Sequence, residues 1–115
     1  MWRYLSRLLI HLFRRPVFPF LVGLSLTMIS VFSVLIYFIE SDANPMVRSY
    51  LDAIYLSVAL LTTVGLGDVH PITSLGKFMT IFMMLLGAFL FVSFTGVISS
   101  SLHAIEHEAE EATKD

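Results

Sequence analysis

The chain has 115 residues, of which 57% are hydrophobic and only 14% charged, and its mean hydropathy is +0.83. A domain of this size buries roughly 60–70% of its unfolded surface, so the apolar excess excludes an ordinary soluble domain and a disordered chain and points to lipid as the solvent. The net charge of −2 is too small to indicate a nucleic-acid partner, and the absence of cysteine excludes disulfides and thiolate metal sites.

Residues 1–15, MWRYLSRLLIHLFRR, are amphipathic: Trp2, Leu5, Leu9, Leu12 and Phe13 recur at helical spacing, and Arg3, Arg7, His11 and Arg14 fall mainly elsewhere on the wheel. The pattern predicts an interfacial helix lying on the membrane. A signal peptide is the rival reading, but its charged region would be unusually long and no clear small-residue cleavage site precedes Glu40. Residues 17–39 are uncharged and long enough for an outer spanning helix, which needs about 20 apolar residues. Arg14 and Arg15 directly before it place the N-terminus in the cytoplasm by the positive-inside rule. The first span carries no arginine at every third position, so no voltage sensor is expected in it.

Glu40 to Pro45 reads as a polar turn, followed by an apolar run from Tyr50 to Leu61. About 12 helical residues extend roughly 18 Å, too short to cross a bilayer, so residues 50–61 read as a re-entrant helix. Ser49 followed by Asp52 resembles a capping box at its start, with Asp in place of the usual Glu. The chain then breaks at Gly65 and Gly67. Residues 78–102 form the second uncharged stretch and predict an inner spanning helix. Residues 103–115 form a tail in which Glu106, Glu108, Glu110, Glu111 and Asp115 face a single Lys114. Two spans put both termini in the cytoplasm and residues 40–77 outside.

The segment Thr62-Thr63-Val64-Gly65-Leu66-Gly67-Asp68 carries the functional signal. Gly65 and Gly67 adopt backbone angles closed to other residues, and alternating conformations along Thr63–Gly67 would point successive carbonyls to one side. Such a strand is tolerated at membrane depth only within protein or along a watery cavity. Four strands around an axis would stack rings of carbonyl oxygens able to replace the hydration shell of a monovalent cation.

Thr63-Val64-Gly65-Leu66-Gly67 resembles the selectivity filter of the two-transmembrane tetrameric potassium channel family. Asp52 to Val58 resembles that family's pore helix, Asp68-Val-His-Pro71 with Gly76-Lys77 its outer loop, and Gly87 its mid-span hinge glycine; the likeness covers residues from about 18 to 102. It implies an all-α membrane protein with two transmembrane helices, a re-entrant pore helix and a filter loop, assembled as a homotetramer in the lipid bilayer of the cell membrane. It implies potassium bound by oxygens of Thr63, Val64, Gly65 and Leu66, with Gly67 turning the strand outward. Tyr55 stands where relatives place an aromatic donor, which predicts a hydrogen bond to Asp68, the acid after the filter. Leu66 replaces the usual tyrosine and its bracing hydroxyl. Ala59 replaces the buried acid of some members, so no carboxyl pair with Asp68 can form.

On the inner span, Thr95 and Ser99 lie four apart on one face, with Phe91 on roughly the same face. These residues and Gly87 are candidates for the cavity and gate, although hinge glycines and span hydroxyls also serve ordinary packing. Histidine is the residue type suited to a proton-sensitive gate, which His103 and His107 could serve; a solvated helix end is their plainer role. No nucleophile triad, phosphate loop or paired-carboxylate site is present, so neither catalysis nor a cofactor is expected and potassium is the permeant ion only. A cytoplasmic regulatory domain beyond the tail is compatible with the acidic residues. The alternatives to a potassium-selective pore are a non-selective sodium and potassium channel and, in a different class, a two-span membrane anchor or assembly subunit.

Overall fold

A computed structural model describes residues 1–114, which form four helices: α1 (Trp2–Arg14), α2 (Val17–Glu40), α3 (Tyr50–Leu61) and α4 (Ser74–Lys114). The helices α2 and α4 are long and apolar enough to cross a membrane, with mean hydropathy reaching 2.2 and 2.4 over 18-residue stretches. The helix α3 has 12 residues and cannot span alone.

The break between α1 and α2 follows from Pro16. A residue before proline is pushed out of the helical region, and Arg15 is extended, at φ −81° and ψ 125°. The start of α3 is the expected reciprocal cap: Ser49 Oγ accepts from Asp52 N–H, while the Asp52 carboxylate accepts from the Ser49 N–H at 2.9 Å. Those bonds from Ser49 hold the Asp52 carboxyl below the usual aspartate range.

The inner helix is longer than the uncharged stretch that announced it. It begins at Ser74 instead of 78 and continues through the tail to Lys114. Lys77 is not its boundary because Thr73 caps the helix, its Oγ1 accepting from Gly76 N–H at 3.0 Å. The tail extends the helix because alanine and glutamate are good helix formers.

The chain divides into two compact units: residues 1–22 with the chain from Val92 onward, and Gly23–Phe91. In the first, α1 packs on the C-terminal part of α4, with Leu12 and Ile105 each 5% exposed. Phe18 stacks edge-on between Phe13 and Phe94 at 5.5 and 5.8 Å, and Arg15 donates to Ser100 Oγ at 2.8 Å. In the second, Ile36, Val47, Ala53 and Leu56 form the core, covered by Tyr37, Leu60, Val69 and Met79. A Ser33–Tyr50 hydroxyl bond at 2.8 Å and a Tyr37–Tyr50 edge contact at 5.9 Å fix α3 against α2.

Candidate functional site

The site is the strand that leaves the C-terminal end of α3. Thr62 closes the helix, its N–H and its Oγ1 both bonding the Val58 carbonyl, at 2.9 and 2.7 Å. The strand then folds back alongside the helix end, and Gly65 N–H donates to the Ala59 carbonyl at 3.1 Å.

Backbone hand alternates along this strand. Thr63, Gly65 and Gly67 have φ of +64°, +49° and +82°, whereas Val64 and Leu66 keep negative φ. Alternation of this kind turns successive N–H groups to one side and successive carbonyls to the other. The conformation costs nothing unusual at the glycines. At Thr63, a β-branched residue, it is an outlier of the sort held at functional sites. Among the described residues, no hydrogen bond reaches any carbonyl oxygen from Thr63 to Gly67. Val64 and Leu66 are 63% and 68% exposed.

Tyr55 and Asp68 meet. The Tyr55 hydroxyl donates to both carboxylate oxygens, at 3.2 and 3.1 Å. Desolvation, reinforced by the bond to Asp68, pushes the Tyr55 hydroxyl above its ordinary value. The bond ties the middle of α3 to the residue immediately after the strand Thr63–Gly67, so it braces that end of the strand. Leu66 offers no hydroxyl for a second brace. Ala59 and Gly65 line a cavity of about 200 Å³ with Thr63, Leu60 and Met84.

Gly87 touches the helix end from the other side. A Cβ there would lie 2.7 Å from the Leu61 carbonyl oxygen and 2.9 Å from Leu61 Cα. The missing side chain lets α4 pass directly against the last turn of α3, so in this structure Gly87 is a close-approach residue. Phe91, Thr95 and Ser99 follow on α4 with exposed side chains. His103 and Glu106 approach at 3.7 Å, with both side chains largely in solvent.

One residue that the sequence marked only as the start of a polar turn proves central. Glu40 is fully buried. Its Oε2 accepts from Asn44 Nδ2 at 2.9 Å and Ile72 N–H at 3.0 Å. Its Oε1 accepts from Thr73 N–H at 3.1 Å and from the Thr73 hydroxyl. Asn44 Nδ2 also donates to the His70 carbonyl at 2.7 Å, and Gly76 is required because a Cβ there would overlap Glu40 Oε1. Four donors converge on one carboxylate, an arrangement suited to an acceptor-only ionised group. The segment after Asp68 is thereby pinned to the end of α2. The available signal was a lone acid closing a long uncharged run; its partners at Ile72 and Thr73, more than thirty residues away, left no mark.

A family model described as "Ion channel" matches residues 24–104. The chain belongs to the ion channel family. A hyperpolarization-activated voltage-gated potassium channel of Methanocaldococcus jannaschii is 38% identical over 81 residues, covering 70% of this chain and 36% of that protein. A voltage-gated potassium channel of Aeropyrum pernix is 38% identical over 71 residues, covering 61% of this chain and 24% of that protein. The chain therefore spans between a quarter and about a third of the length of these relatives. Among solved structures, a voltage-gated K+ channel pore module, crystallised in a closed state in lipid membranes, matches with a TM-score of 0.58 and 28% identity, covering 78% of this chain and 90% of that one. The resemblance drawn from Thr63–Gly67 agrees with these matches, and the fold is that of a pore module: an all-helical membrane protein with α3 and the strand Thr63–Gly67 inserted between two long apolar helices.

Proposed function

We propose that four copies of this chain surround a common axis and form a potassium-selective pore in the cell membrane. The observation that carries the reading is the strand Thr63–Gly67, whose backbone alternates in hand and whose carbonyls accept no hydrogen bond within the chain. A buried or membrane-depth carbonyl without a partner costs free energy. Four such strands facing one another would direct those oxygens at a dehydrated monovalent cation, which supplies the missing partner. Thr63 would contribute its hydroxyl as well as its carbonyl, and Val64, Gly65 and Leu66 their carbonyls.

The remaining parts follow from electrostatics. The C-terminal end of α3 carries partial negative charge from its helix dipole. In the tetramer it would aim at a cavity below the filter, favouring a cation in a low-dielectric region. Asp68 would raise cation density at the outer mouth. Ions would bind in successive carbonyl cages and leave by mutual repulsion, driven only by the electrochemical gradient, so no chemical step is involved. The lower part of α4, with Thr95 and Ser99, would line the cavity and form the gate. Both termini would lie in the cytoplasm, given the arginines before α2. The names of the relatives and of the matching pore module support this assignment.

The test is the reversal potential of the purified protein in planar bilayers with potassium on one side and sodium on the other. A value near the potassium equilibrium potential is expected. A value near zero with robust current would assign a non-selective pore, with Leu66 lacking a brace as the physical reason. Absence of current from Gly65→Ala, with current in the parent, would separate a pore from a two-span anchor.

A further inference from the structure

The last turns of α4 divide into two faces. Leu102, Ile105, Glu108 and Ala109 line hollows shared with α1, and Ser101 and Ile105 on this side are buried. Turned away from α1 are His103, Glu106, His107 and Glu110, all exposed. Their spacings of three and four put them on one side of the helix. Ser99 and Thr95, also exposed, lie one and two turns earlier on that side, so the four residues continue the stripe that would face the axis of the proposed pore.

Two histidines one turn apart on a helix can both turn a ring nitrogen toward one metal ion. Here a carboxylate accompanies them, in the run His103-Ala-Ile-Glu106-His107. Glu106 Oε2 lies 3.7 Å from His103 Nδ1, which leaves Nε2 of that ring facing outward. A carboxylate on the far nitrogen is the usual companion of a metal-ligating imidazole, because it fixes the ring and raises its basicity. Imidazole donors favour zinc, copper and nickel over magnesium or calcium. Within one chain the set is incomplete: among the described residues, no three His, Asp or Glu side chains are grouped closely enough to hold an ion. Each copy offers a pair of nitrogens, whereas three protein ligands and a water are a common zinc set. Glu110 stands three residues, about 4.5 Å, beyond His107 along the axis, and helical side chains lean toward the N-terminus. In parallel copies around one axis, a neighbour's Glu110 therefore reaches back toward the level of His107.

We propose that a zinc-type transition-metal ion is held by His103 and His107 of one copy and Glu110 of the next, with Glu106 as a positioning residue behind His103. The inference rests on the four-copy arrangement proposed above and adds a control to it. An ion shared between copies ties the lower ends of neighbouring α4 helices together and so restrains the gate. Repeated around the axis, the arrangement takes one ion per chain and leaves every copy equivalent, as closed symmetry requires.

The test titrates the full chain, free of any histidine tag and in detergent, with cobalt, whose visible absorption reports its ligands, and then displaces the cobalt with zinc. A saturable band is expected, and His103→Gln or His107→Gln should abolish it. Glu106→Gln should weaken cobalt binding by about tenfold or more, the usual cost of losing a partner behind a ligand. His70→Gln, which removes a histidine far along the chain, should leave the band unchanged. Zinc should also raise the midpoint for thermal dissociation of the oligomer in the parent but not in Glu110→Gln. No band, or a band that survives loss of either histidine, would overturn the site. A band without any zinc effect on dissociation would overturn its sharing between copies, and a potassium current indifferent to zinc on the side of the termini would overturn the restraint. The reversal potential keeps the two readings apart: a conducting tetramer that binds no cobalt refutes this site alone, whereas a zinc-linked oligomer that is silent in bilayers upholds the site and removes the pore.

Discussion

Two stretches of backbone flank Asp68, and they are held in opposite ways. Val69 to Thr73, after it, is fixed by side chains of the same chain: the buried Glu40 carboxylate takes the Ile72 and Thr73 amides, and Asn44 takes the His70 carbonyl. Thr63 to Gly67, before it, has its amide at Gly65 bonded to Ala59 but no partner for its carbonyls. The first stretch is anchored within one polypeptide. The second is finished only when something outside the chain meets its oxygens. The contrast separates an anchored stretch from an open one, and under the proposed function the open one is where an ion would be bound.

The contrast breaks first at Glu40. Glu40→Ala leaves the part-buried amides at Ile72 and Thr73 without their acceptor and removes one of the two acceptors of the buried Asn44 side chain. At about 1–3 kcal/mol for a buried group left unsatisfied, and less where water can reach it, a loss of about 1–3 kcal/mol is expected. Thermal unfolding of the purified protein in detergent would show it, and an unchanged midpoint would mean that the brace is not structural. Gly76→Ala should reproduce the loss, because its Cβ would displace the same carboxylate. Gly87→Ala comes next. Its Cβ meets backbone, not a flexible side chain, so α3 and α4 must separate, at about 1–3 kcal/mol. Conduction measured alongside stability distinguishes close approach from hinge: a hinge variant would lose opening while keeping its melting midpoint.

Gly65→Ala tests the other half of the comparison. No atom of the chain lies within 4 Å of the added Cβ, so the expected cost within the chain is the left-handed backbone alone, about 1–2 kcal/mol. Ion flux into vesicles should nonetheless disappear. A variant that is nearly as stable as its parent but silent would place the function of this strand in its backbone, whereas retained flux would sink the filter reading.

Much of this was legible in the sequence. Glycines in alternate positions announced the strand, Ser49 and Asp52 announced the start of α3, and the family resemblance announced the Tyr55–Asp68 bond, because each depends on residues close along the chain or on a motif of fixed length. The Glu40 brace was not legible, since two of its four donors are backbone amides, which look alike at every position, and the loop that brings them to it is remote in sequence. The start of α4 was misplaced because a charge at Lys77 is visible in sequence, while the capping role of Thr73 becomes apparent only once its neighbours are placed. The two sides of Gly87, packing and bending, are likewise indistinguishable until Leu61 is seen beside it.

The smallest effect concerns the link between the two stretches, the Tyr55–Asp68 bond. Its energetic weight is limited by exposure, since Tyr55 is 38% exposed, but its pH dependence has a definite sign. The hydroxyl titrates above its ordinary value in the folded protein, through desolvation and then the adjoining carboxylate. The neutral form is therefore the one that folding favours. Its contribution is fully present below the ordinary tyrosine value, about pH 10, and is lost as pH rises through the higher folded value, where a phenolate would face Asp68. Comparing melting midpoints of the parent and Tyr55→Phe isolates this group, because Tyr4, Tyr37 and Tyr50 are common to both proteins. The difference should stay constant from neutral pH to about pH 10 and shrink above it. A difference that persists unchanged into strongly alkaline solution would mean that Tyr55 acts by packing, and that the end of the strand Thr63–Gly67 is held by Asp68's other surroundings instead of by this bond.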